Sequence, residues 1–162
     1  MTGSFSVKNI KTFRGMEGQG FEATIYWNGK RAGTVTNEAT GGDFRFFWDD
    51  RAAEKALDAY AAALPLDTTY GEPGIQPNAD MVIEELVCTV LDERDVTRLM
   101  AKEFLLVIPG RGIVPLRYGK HKTADVPAHV LDKALAVRGN PVVLNRLPMT
   151  EAMSIMRQHG AL

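Results

Sequence analysis

A chain of 162 residues with 45% apolar and 24% charged residues can hide roughly 70% of its unfolded surface, which excludes disorder of the whole chain. Its formal net charge of −1 excludes a strong global pull toward nucleic acid or anionic lipid. The single cysteine, Cys88, excludes an intramolecular disulfide and a cysteine-based zinc site.

The lone thiol, and a start from Met1 to Val7 without a basic region followed by an apolar one, make the cytoplasm the expected compartment. Apolar stretches such as Phe104 to Pro109 are far too short to span a bilayer, so no membrane partner is expected.

The first fifty residues read as an antiparallel meander. Phe21, Ala23, Ile25 and Trp27 alternate with Glu22, Thr24 and Tyr26, the period-two pattern of a strand with one buried face. Asn28-Gly29 follows at once and suits the positive φ angles of a type I′ hairpin turn. Lys30 to Thr36 is the return strand, Gly41-Gly42 the next turn, and Phe44, Phe46 and Trp48 mark a further strand. Val7 to Phe13 pairs with this sheet through the glycine-rich loop Arg14 to Gly20.

Asp49-Asp50 supplies carboxylates for the free amides of a helix. Ala53, Ala56, Leu57, Tyr60 and Leu64 form its apolar stripe, and Pro65 ends it. Residues 66–77, rich in Pro and Gly, are a linker or an ordered loop. Asn78 caps a longer apolar-faced segment through Val82, Ile83, Leu86, Val87, Val90 and Leu91. Its phase slips near Asp92 to Asp95, so it is one kinked helix or two consecutive ones.

Strands follow at Leu105 to Ile108 and Ile113 to Tyr118, then a helix from Val126 to Val137 closed by Gly139. Val142 to Leu144 is a short buried strand, and Pro148 to Gln158 a last helix. The expected fold is α+β: an N-terminal antiparallel β-meander packed by a helix, then a mixed helical/β C-terminal half. The modules span 1–65 and 78–162, joined by 66–77, or the two form one domain.

Charge is unevenly spread. From Asn78 to Glu103 there are seven acids against three bases; from Leu105 to Thr123 there are four bases and no acid. On an ideal helix, Glu85 and Asp92 lie nearly on one line, as do Glu84 and Asp95. This acidic stripe solubilises the helix, holds a divalent ion, or meets a basic partner. The bases Arg111, Arg117, Lys120 and Lys122 form the complementary candidate set, interleaved with Tyr118 as in nucleic-acid sites.

No catalytic constellation stands out. The loop Arg14 to Gly20 fits neither the dinucleotide fingerprint nor the P-loop and leads into a strand, so it reads as a tight hairpin. There is no G-x-S-x-G elbow. His121, His129 and His159 stand alone, so neither a metal shell nor a cofactor is expected. Cys88 lies in an apolar helical pattern and reads as a buried, inert thiol. Met149, Met153 and Met156 share a face of the last helix, either docked on a core or exposed as an adaptable contact surface.

The stretch Ile10-Lys-Thr-Phe-Arg-Gly-Met-Glu-Gly-Gln-Gly-Phe21, followed by Asn28-Gly29-Lys30 and a second strand, resembles small uncharacterised proteins carried by phages and prophages. The resemblance covers about the first fifty residues and implies a mobile-element origin, with no catalytic residue to carry over. Small phage proteins without enzyme motifs often block a host factor by occupying its surface. The expected function is therefore a non-catalytic binding protein that inhibits a host defence or regulatory complex by steric occlusion. Its partner is a host protein or ribonucleoprotein complex, met through Glu84, Glu85, Asp92 and Asp95 or through the basic segment. A nucleic-acid-binding accessory protein using Arg111, Arg117, Lys120 and Lys122 is the alternative, and a small enzyme with an unreadable site the third.

Overall fold

Alternation of apolar and polar residues gives a sheet with one dry face, and the chain opens with such a sheet. In the computed structural model, which describes residues 4–69 and 71–162, strands β1 (Phe5–Arg14), β2 (Gln19–Trp27), β3 (Lys30–Asn37) and β4 (Arg45–Trp48) pair antiparallel in that order. Phe21, Ala23, Ile25 and Val35 are buried. Val7 and Ile10 are buried too, although three residues apart. A register shift between Lys8 and Lys11, with Asn9 at φ 54°, reconciles them: the bulge resets the pleat so that both point inward. Asn28 and Gly29 take φ 50° and 77°, the turn expected of that dipeptide. The glycine-rich loop is a hairpin turn, closed by Gly15 N–H donating to the Gly18 carbonyl (2.8 Å).

Helix α1 (Arg51–Ala62) starts where the Asp50 carboxylate accepts from the Ala52 amide, and it buries Ala53, Leu57 and Ala61. The described residues of the segment, 66–69 and 71–77, form an ordered loop. Asp67 and Ile75 exchange both backbone hydrogen bonds at 2.8 Å, and Gln76 Nε2 donates to the Ala61 and Leu64 carbonyls at the end of α1. These bonds satisfy carbonyls that a helix C-terminus leaves without intrahelical partners.

Helix α2 (Ala79–Met100) is one continuous helix, with the Asn78 side chain accepting from the Met81 amide (3.0 Å). The chain divides into two compact units, Met1–Val90 and Leu91–Leu162. The division falls inside α2, whereas 66–77, the expected joint, is internal to the first unit.

In the second unit, β5 (Phe104–Ile108) is the centre of a sheet ordered β6-β5-β7, with β6 (Gly112–Leu116) and β7 (Val142–Val143) both antiparallel to it. Its two faces are both dry. Leu105 and Val107 pack with Val96, Leu144, Ala152, Met153 and Met156, and Phe104 and Leu106 pack with Leu131, Leu135 and Val143. Helix α3 (Ala128–Ala136) therefore lies on one face and α4 (Met149–Gln158) on the other. The α4 methionines are core residues, not an exposed surface. Full burial of each such side chain contributes about 1.5–3 kcal/mol. Among the described residues, no helix is long and apolar enough to cross a membrane.

Candidate functional site

The N-terminal half of α2 carries the site. Val82, Ile83 and Val87 point into the first unit and are buried. Each residue turns about 100° around a helix, so Cys88, four after Glu84 and three after Glu85, joins those two on the outer stripe. All three are exposed. This corrects the expectation of a buried Cys88: its neighbour Val87 faces the core, and one step further faces solvent.

Loop 64–77 faces this stripe. Leu66 and Ile75 are 50% and 52% exposed, unusual for large aliphatic side chains held in an ordered loop. With Leu64, Pro77, Met81 and Cys88 they line a groove of about 650 Å³. Among the described residues, the charged lining residues are Asp67, Glu84 and Glu85, with no base among them. Hydrogen bonds from the Thr69 side chain and backbone hold the Asp67 carboxyl below its ordinary pKa, so that part of the rim stays anionic in mild acid. An apolar floor with an acidic rim suits a peptide segment that offers aliphatic or aromatic anchors between lysines or arginines.

The other expected partner-binding residues are dispersed. Asp92 pairs with Arg157 (3.7 Å) and Asp95 with Arg98 (3.2 Å), both pairs within the second unit. Arg111 sits exposed in the β5–β6 turn; Arg117, Lys120 and Lys122 follow the far end of β6. Six residue steps at about 3.4 Å each put roughly 20 Å between Arg111 and Arg117, on either side of β6. Arg117 is engaged by Glu103, whose hydrogen bond and charge raise the guanidinium pKa further. The four bases thus form no single patch.

Two residues to which the sequence reading gives no role of their own matter to the second unit. Glu103 is buried, 4% exposed, against Arg117. Asn145 donates to the Met100 and Glu103 carbonyls (2.9 Å each) and accepts from the Leu105 amide (2.8 Å), tying the end of α2 to β5. Among the described residues, no group of three or more His, Cys, Asp or Glu is placed to hold a metal ion. No protein-family model, curated protein or solved structure matches the chain significantly.

Proposed function

We propose that this chain is a non-catalytic binding protein of phage or prophage origin that inhibits a host defence or regulatory complex by covering part of its surface. The observation that carries the binding role is the groove between α2 and loop 64–77, which exposed Leu66 and Ile75 line together with Glu84 and Glu85, with no base among the described lining residues. The resemblance of about the first fifty residues to phage proteins supports the origin. Recognition through Arg111, Arg117, Lys120 and Lys122 is disfavoured by their separation along β6 and by the Arg117–Glu103 pair.

The test is recovery of proteins from nuclease-treated host lysate on immobilised wild type and on Ile75→Asp. A carboxylate on the groove floor costs desolvation that an apolar anchor cannot offset. A specific partner retained by wild type and lost from the variant is expected. Identical recovery on both would remove the groove from the account.

A further inference from the structure

The face of the N-terminal sheet turned away from α1 has a composition that the groove does not explain. Strand register sets its side chains in rows. Lys8, Thr24, Thr34 and Phe47 lie opposite one another across all four strands, and Lys11, Glu22, Thr36 and Arg45 form the next row. On the other side come Ser6, Tyr26 and Arg31. No aliphatic side chain appears in these rows. Four cations share them with two aromatic rings, three threonines and one acid, Glu22. Phe47 is 61% exposed, too open to serve the core. Lys8 Nζ stands 4.7 Å from the Tyr26 ring centroid.

We propose that this face binds single-stranded nucleic acid, with Phe47 as the base-stacking platform and Lys8, held over the Tyr26 ring, Lys11, Arg31 and Arg45 as phosphate contacts. Stacking tolerates any base because every base has a π-face, and cations beside the rings follow the backbone. Successive rows on one face are about 7 Å apart, so cations recur along a strand laid across them. Arg31 and Arg45 now pair with Asp49 (3.4 Å) and Glu38 (2.9 Å), but all four side chains are at least 43% exposed. Such surface pairs hold their partners weakly and yield to phosphate. A cavity of about 560 Å³ opens beside Phe47, Thr34 and Arg31, with Asp49, Arg51, Glu54 and Asp58 on its α1 side, where Arg51 pairs with Glu54 (2.5 Å). The three carboxylates outnumber the one arginine on that side, so the path runs over the β1–β3 side of Phe47, where Lys8 and Lys11 lie. The near-neutral whole chain adds no long-range attraction, and binding is local and modest. Beside a protein-binding groove, this surface makes a ribonucleoprotein the kind of target that engages both.

The experiment is fluorescence anisotropy of labelled oligothymidylate and oligouridylate of about 12 nucleotides with the full chain, from about 50 to about 200 mM salt. Binding at low salt is expected. Phe47→Ala should weaken it about tenfold, while Phe47→Tyr, which keeps the ring, should retain it. Lys8→Glu with Lys11→Glu should weaken it further and lower the salt slope by about 1.4, the share of two phosphates on a single strand. Thermal melts confirm that the variants fold. Absence of low-salt binding, or equal binding by wild type and both disruptive variants, would overturn the proposal. So would displacement by polyglutamate combined with indifference to Phe47→Ala, because the face would then be a simple cationic patch. Glu84→Lys with Glu85→Lys should not weaken oligonucleotide binding, which keeps this result distinct from that of the groove.

Discussion

The two units use β-sheets in opposite ways. The N-terminal sheet buries one face, so its strands alternate: Ile25 is fully buried while Thr24 beside it is partly exposed. The second sheet buries both faces, so Phe104, Leu105 and Leu106 are buried in succession. A one-sided sheet leaves a surface free for recognition. A two-sided sheet spends its side chains on packing and leaves recognition to its loops. The proposed nucleic-acid face is the free side of the first sheet, and the proposed groove, built by α2 and loop 64–77, lies in the same unit.

Alanine substitutions at neighbouring positions test that contrast most strongly. Leu105→Ala and Leu106→Ala should each lower stability by about 2–5 kcal/mol, because each empties a different core. In the first unit Ile25→Ala should cost a similar amount, and Thr24→Ala only about 0.5 kcal/mol. Urea unfolding measures all four. A near-neutral Leu105→Ala or Leu106→Ala would mean that one face of β5 is not packed.

Asn145→Ala should come next, at about 2–3 kcal/mol. It leaves the Leu105 amide and two carbonyls without their side-chain partner. A denaturation midpoint within error of wild type would show that water replaces the asparagine fully.

What the sequence makes legible follows from the range of the interactions. The first hairpin is readable because alternation and Asn28-Gly29 act within a few residues. The α1 start is readable because Asp50 caps an amide two residues away. Asn145 is not, since its partners lie about forty residues earlier. Cys88 misleads because apolar neighbours say little about phase where one helical step separates core from solvent. The acidic residues of the groove stand out in the sequence, but its apolar floor comes from loop 64–77 as well as α2. Only the Asp67–Ile75 bridge, folding that loop back on itself, reveals it.

Smaller effects probe the first unit alone. Gly29→Val places a β-branched residue at φ 77° with no neighbour within 4 Å of its Cβ. The loss, on the order of 1 kcal/mol or more, is then backbone strain only. An unchanged melting curve would count against the turn. Cys88, on the exposed stripe, should react with a thiol reagent in native buffer without any need for denaturant. Strong native protection would place it back in the core and close that side of the groove.

The most direct measurement compares partner capture by two charge reversals, one in each unit. Glu84→Lys with Glu85→Lys inverts the groove rim; Lys120→Glu with Lys122→Glu inverts an exposed loop of the second unit. Both pairs are solvent-facing, so melting temperatures should stay within a few degrees of wild type. At low salt, where charge counts most, the first variant should lose the partner that wild type recovers from nuclease-treated lysate, and the second should keep it. Loss by the second variant with retention by the first would contradict the account and move recognition to the basic loop.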